Sequence, residues 1–329
     1  MRRTFGIALA IATASALGAC GSSEPTQSQA TATPAQKITV TDSRKKTITL
    51  DGPAKRIAGT EWNVVEYADS LGVKPVGVSD IKGFTTWDSA VTLPDGVTDL
   101  GTRGEPSIDT VNSLGLDVLF VTDELVGDAM AQIEKRTPIV LVAGGDAKDP
   151  IGAMFANLDV VAKATGTEER AAELKRQFDA KVAETKALVA EAGIADRPVA
   201  FSDAYVAGGK VSIRPYSEGS LIGGVLKAVG LQNAWSSIKG LKTDPAYGLG
   251  QTDVEGLTKL PRNTVYWYIG NDVDGGDPYA KELAKNRIWT SLPFVEEGAV
   301  HRFPDGIWMF GGPVSMMRFL DAVQAAVKA

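Results

Sequence analysis

Short apolar runs alternate with helical patterns along most of this chain. Ile38-Thr-Val40 and Ile48-Thr-Leu50 alternate apolar and polar residues around Ser43-Arg-Lys-Lys46, which predicts a β-hairpin. Apolar runs at 56–59, 73–78, 117–121 and 138–143 read as strands, and 62–71, 108–114 and 126–135 as the helices between them. Strands alternating with helices imply βα units and a largely parallel sheet. Two helical patterns follow, 151–165 and 167–192, broken at Gly166. In the second, Leu174, Phe178, Val182, Thr185 and Val189 recur every three or four residues. That is a mostly apolar stripe on a helix of about 25 residues, roughly 40 Å long at ~1.5 Å per residue. Thr167 stands where it can cap this helix, Glu168 and Glu169 suit the positive end of its dipole, and Gly193 stands where a helix stops. The βα pattern then restarts, with strands at 198–202, 210–213, 264–269 and 299–303, and helices at 218–229, 254–260, 278–283 and 313–327.

The halves on either side of the long helix echo each other. Asp109-x-Val-x-x-Leu-x-x-Asp-Val-Leu-Phe-Val121 lines up with Glu255-x-Leu-x-x-Leu-x-x-Asn-Thr-Val-Tyr-Trp267, each an acid opening a short helix that runs into an apolar strand. Ser70-Leu-Gly-Val73 likewise resembles Ala228-Val-Gly-Leu231. Self-similarity of this kind predicts an α/β fold of two similar lobes with parallel-rich central sheets, 37–166 and 193–329, joined by one long α-helix at 167–192.

The first residues follow a different rule. Basic Arg2 and Arg3, an apolar run at 7–12 and then Leu17-Gly-Ala-Cys20-Gly21 have the order of an export signal. The apolar run is too short for a bilayer span, which takes ~20 residues. Leu-Gly-Ala-Cys20 resembles a bacterial lipobox, which implies cleavage after residue 19 and lipid attachment at Cys20; an ordinary cleaved signal with an incidental cysteine is the plainer reading. Arg2-Arg3 also fits a twin-arginine signal as well as any positive signal start. The Ser/Thr/Gln/Ala/Pro-rich stretch up to residue 36 cannot bury enough apolar surface to offset its ordering entropy, and reads as a flexible tether. The expected location is therefore the extracytoplasmic face of a cell membrane, through the lipid anchor.

Composition narrows the function. A net charge of −6 without a basic tract argues against a nucleic-acid partner. His301 is the single histidine, the folded part has no cysteine, and no Gly-x-Ser-x-Gly elbow occurs. No catalytic constellation is recognisable, so no enzyme is expected. Zinc or manganese binding wants clustered histidines and acids, and haem would have to use His301 or a tyrosine.

Five segments, in order, resemble those of the substrate-binding proteins that feed ABC importers with ferric siderophores, ferric citrate and cobalamin. They are Gly59-Thr-Glu-Trp-Asn63 with Leu71-Gly-Val-Lys-Pro-Val-Gly77, Leu100-Gly-Thr-Arg-Gly-Glu-Pro-Ser-Ile-Asp109, Ser212-Ile-Arg-Pro-Tyr216 with Gly219-Ser-Leu-Ile-Gly-Gly-Val-Leu226, Asn286-Arg-Ile-Trp-Thr-Ser-Leu292, and Ile307-Trp-Met-Phe-Gly-Gly-Pro-Val-Ser315. The ferric-citrate and hydroxycarboxylate branch is the most similar. The resemblance implies two lobes around a ligand cleft, little movement on closure, and capture of an Fe(III)-siderophore complex of citrate, hydroxycarboxylate or hydroxamate type. It also implies delivery to an ABC permease with its ATPase, as a monomer and without a cofactor. A cobalamin- or haem-binding component of a similar importer, or a cell-surface interaction protein, are the alternatives.

A chelated iron needs no protein ligand; it needs donors at the rim and flat apolar walls. Arg103, in the Gly-Thr-Arg segment, and Arg214 are the candidate cations, one in each half, with Tyr216 beside Arg214 as a further donor. The plain alternative for Arg103 is a surface or lobe-internal ion pair. Trp62, Trp87 and Trp308 fall near predicted strand ends, where open α/β sheets place ligands, and Tyr268 is a further candidate wall. Trp267 and Trp289 read as core, and Trp235 is uninformative. By the same resemblance, Asp109 and Glu255 are the carboxylates, one per lobe, that dock on permease arginines, although each also suits a helix N-terminus.

Overall fold

A computed structural model describes residues 37–123 and 127–328; the export signal, Cys20 and the tether lie outside them. The expected hairpin pairs β1 (Ile38–Thr41) with β2 (Thr47–Leu50), Ile38 opposite Leu50, and its alternation buries Val40, Ile48 and Leu50 on one face.

The first lobe follows in strict succession. β3 (Ile57–Gly59), α1 (Trp62–Ser70), β4 (Gly77–Val78), α2 (Ile81–Trp87) and β5 (Thr98–Asp99) lead into a small hairpin, β6 (Gly101–Thr102) and β7 (Glu105–Pro106). Then come α3 (Ile108–Ser113), β8 (Val118–Thr122), α4 (Ala129–Ile133) and β9 (Ile139–Val142). The sheet order is β5-β4-β3-β8-β9, with every pair parallel. Every residue of β8 and β9 is buried, as expected where helices cover both faces of a parallel sheet. Strand order reverses between β3 and β8, so the crevice at their carboxyl ends is the natural ligand position.

The chain then builds two long helices, α5 (Pro150–Thr165) and α6 (Glu168–Glu191), separated by Gly166 at φ 69°. The expected stripe of α6 is buried at Leu174, Phe178, Thr185 and Val189, and half-buried at Val182. Thr167 does stand at the N-cap, but it makes no capping bond; its hydroxyl pairs with that of Thr165 at 2.8 Å.

In the second lobe, β10 (Val199–Ala207) and β11 (Lys210–Pro215) form an antiparallel pair. They are followed by α7 (Leu221–Ala228), α8 (Val254–Leu257), β12 (Val265–Ile269), α9 (Pro278–Lys281), α10 (Arg287–Thr290), α11 (Pro293–Glu296), β13 (Val300–Phe303) and α12 (Pro313–Lys328). The order is β11-β10-β12-β13, with β10, β12 and β13 parallel. The molecule is thus two α/β lobes joined by the long helix α6.

The sequence echo has a physical counterpart. α1 and α7 end in the same turn, with Gly72 at φ 86° and Gly230 at φ 88°. The residues after these glycines donate back into their helices, Val73 N to Ala68 O at 2.9 Å and Leu231 N to Leu226 O at 3.0 Å.

The lobes share one apolar core, in which Tyr67 and Val118 of the first belong to the same cluster as Phe201, Phe303 and Phe319 of the second. A buried carboxylate adds to this. Glu66 of α1 accepts from Gly312 N at 2.7 Å, Ser315 N at 2.9 Å and Ser315 Oγ at 2.7 Å, satisfying buried amides at the start of α12 that have no partner within the helix. Burial still pushes the Glu66 carboxyl above the ordinary range.

Candidate ligand-binding site

A cleft of about 480 Å³ opens between the lobes. Its floor on the first lobe begins where β3 ends. Glu61 occupies the N-cap of α1, with Oε1 accepting from Trp62 N at 2.9 Å. Trp62, the first residue of the helix, donates its indole N–H to Ser79 O at 3.2 Å. Gly83 lets that ring lie flat, because a Cβ there would come within 2.5 Å of Trp62 Cζ2.

Arg103 sits at the tip of the β6–β7 hairpin, followed by Gly104 at φ 79°, a value that favours glycine. Its guanidinium lies 4.0 Å from the Trp62 ring centroid and 5.6 Å from that of Trp308, and Nη1 donates to Glu61 Oε1 at 2.9 Å. The two indoles meet at 4.7 Å, tilted by 59°. Burial pushes the Glu61 carboxyl up, against the opposing pull of Arg103.

On the second lobe, Arg214 of β11 stands opposite Asp203 of β10. It clasps that carboxylate through two nitrogens, Nε at 2.8 Å from Oδ1 and Nη2 on Oδ2. Phe310, whose ring is 5.7 Å from the Arg214 guanidinium, continues the apolar wall.

Five of the seven residues expected from sequence therefore line one cleft: Trp62, Trp87, Arg103, Arg214 and Trp308. The other two stand behind it. Tyr216 is fully buried and donates its hydroxyl to Asp203 Oδ2 at 3.1 Å, so it supports Arg214 through the shared carboxylate and does not line the cleft. Tyr268 is buried too, its hydroxyl on Asp277 Oδ2 at 3.0 Å and its ring 4.1 Å from Tyr279. Trp235, Trp267 and Trp289 are core. Asp109 and Glu255 are exposed in the first turns of α3 and α8, away from the cleft lining.

Sequence reasoning passed over Glu61, Asp80, Asp274 and Phe310 as lining residues. Glu61 and Phe310 lie inside segments that carried the family resemblance, so their places were marked without their chemistry.

The end of α2 and the residues just after it tie the lobes together at the cleft. Asn271 Nδ2 donates to Thr86 O at 2.8 Å, Trp87 Nε1 to Asp274 Oδ2 at 2.9 Å, and Ser89 N to Gly306 O at 2.9 Å. Among the described residues, no three His, Cys, Asp or Glu side chains gather as a metal-holding group. No described helix is long and apolar enough to cross a membrane.

Comparison with known proteins places this architecture. The family described as periplasmic binding protein matches residues 57–305. The iron(3+)-hydroxamate-binding protein FhuD of Escherichia coli K12 is 24% identical over 276 residues, covering 83% of this chain and 86% of FhuD. A putative ABC transporter substrate-binding lipoprotein of Bacillus subtilis, YhfQ, is 25% identical over 340 residues, covering 99% of this chain and 96% of the relative. In fold, the chain is similar to the Fe3+–Desferal-bound siderophore-binding protein FhuD of Vibrio cholerae, with a TM-score of 0.72 and 23% identity over 84% of this chain and 98% of that one.

Proposed function

The chain belongs to the periplasmic binding protein family, and from that premise we propose that it captures a ferric siderophore in the interlobe cleft and delivers it to an ABC importer for iron uptake. One observation carries the reading: a guanidinium from each lobe and indoles from both face a single cleft at the carboxyl ends of the sheet strands. Arg103 and Arg214 offer N–H donors to the oxygens of the chelate from opposite sides, while Trp62, Trp87 and Trp308 pack on its organic shell. The iron arrives with its coordination already filled, and nothing is turned over. Cys20 carries the lipid anchor that holds the protein at the extracytoplasmic face, in keeping with a Bacillus relative named a lipoprotein. Asp109 and Glu255, exposed on short helices in opposite lobes, meet the permease, whose ATPase drives uptake.

The test is a tryptophan-fluorescence titration of the mature protein. Ferric siderophore should quench the signal saturably at one site per chain, and uncomplexed ferric ion should leave it unchanged at the same concentration. Tight binding of free iron, or silence towards a panel of ferric hydroxamate, citrate and catecholate complexes, would contradict the proposal.

A further inference from the structure

The charged groups that line the cleft do not add up to a cationic site. Three carboxylates, Glu61, Asp80 and Asp274, face two guanidinium groups, Arg103 and Arg214. Neither guanidinium is bare, since Arg103 already donates to Glu61 and Arg214 already clasps Asp203. Asp80 and Asp274 have no cation of their own among the described ion pairs; they accept from Gly83 N at 2.9 Å and from Trp87 Nε1 at 2.9 Å.

Glu61 is the most confined of these acids. It is 6% exposed, and Oε1 receives both Trp62 N and Arg103 Nη1, while Oε2 is buried without any hydrogen-bond partner. A carboxylate with an unfilled acceptor in a place of low dielectric repels a second negative charge and draws a positive one. Specificity is often set by such a repulsive element rather than by an added attraction.

We infer that Glu61 is a charge-selecting residue: by occupying Arg103 and adding its own charge to those of Asp80 and Asp274, it makes the cleft admit iron chelates of zero or positive net charge and turn away polyanionic ones. The inference rests on the reading that the cleft takes a ferric siderophore. It narrows the expected citrate, hydroxycarboxylate or hydroxamate complexes to those without net negative charge, because the cations that would receive an anion are already neutralised within their own lobes. Charge then sorts the chelates by their donor groups. Three hydroxamates, each with a single negative charge, just balance Fe(III), and a pendant ammonium makes the complex a cation. Three catecholates, each doubly charged, leave a trianion.

A matched set of ferric complexes tests this by calorimetry: a linear trishydroxamate with a free amine, the same molecule with that amine acetylated, a tris-catecholate and a citrate complex. The wild type should bind the amine form at least as tightly as the acetylated one, and both about tenfold or more tighter than either anion, the effect of one charge-assisted contact. Glu61→Gln keeps the acceptor for Trp62 N and Arg103 but removes the charge. It should gain about tenfold for the anions and lose the preference for the free amine. Tighter binding of either anion by the wild type would overturn the inference while leaving siderophore capture intact, as would a Glu61→Gln protein with wild-type ratios between chelates. If no ferric complex bound at all, the capture reading would fail and this inference with it.

Discussion

Arg103 is held on three sides, by the Glu61 carboxylate at 2.9 Å and by the rings of Trp62 and Trp308. Arg103→Ala should therefore have two effects. Affinity for the preferred ferric chelate should fall about tenfold to a hundredfold, the worth of a charge-assisted contact. Stability should also fall, by about 1–3 kcal/mol, because Glu61 is left buried without its cation. Adding Glu61→Gln to that variant should recover part of the stability but not the affinity; denaturant unfolding and calorimetry on the pair would separate the two. Asp88 makes a second case. It is buried, Oδ1 accepts from Ala90 N at 2.8 Å, and Oδ2 has no partner. Burial, and then the charge of Glu66, holds its carboxyl well above the ordinary value of 3.8. An acid whose folded value is raised binds more protons folded than unfolded, so its contribution to stability falls as pH rises through the raised value and returns on acidification. Asp88→Asn should flatten that slope above the ordinary value of 3.8 and raise the melting temperature at the alkaline end. An unchanged slope would show that this carboxyl is not the group responsible. At this scale the sequence was most legible where residues stood in motifs, as Arg103 and Arg214 did. Glu61 was passed over because an acid at a helix start is ordinary, and only the fold reveals that its second oxygen is unpartnered.

At the scale of elements, regular apolar patterns were legible and short capped ones were not. The α6 stripe, the β1–β2 hairpin and the βα succession follow from periodicity alone. The α2 helix does not, because Ile81-Lys-Gly-Phe-Thr-Thr-Trp87 has one fully buried residue, Phe84, together with a glycine and two β-branched threonines of low helical propensity. It is started by Asp80, whose side chain accepts from Gly83 N, and so it depends on a single cap. β10 runs to Ala207, beyond the expected end at 202, because Asp203 interrupts the apolar run there and the apolar stretch that follows, Ala204 to Ala207, is paired only with β11 and left largely exposed. The start of α12 rests on Glu66, an acid from a helix some 250 residues earlier in the chain. Glu66→Ala would leave buried amides of Gly312 and Ser315 without acceptors, and should cost about 2–4 kcal/mol in denaturant unfolding. A loss below about 0.5 kcal/mol would mean that the contact does not anchor α12.

For the whole molecule, the two-lobed plan was legible because each half repeats the same acid–helix–strand unit around one long helix. The fastening across the cleft was not, since Trp87 with Asp274 and Ser89 with Gly306 join positions about 190 and 220 residues apart, and no local pattern encodes such pairs. Those bonds and the shared core join the two lobes whose residues wall the cleft, and capture of a preformed chelate there is the central claim. The most direct test is a crystal of the protein grown with a ferric trishydroxamate, with anomalous diffraction measured at the iron edge. The expected map shows one iron per chain between Trp62, Trp308, Arg103 and Arg214, bonded only to oxygens of the chelate. An iron outside the cleft, or one bonded directly to a protein carboxylate or tyrosine, would contradict the account.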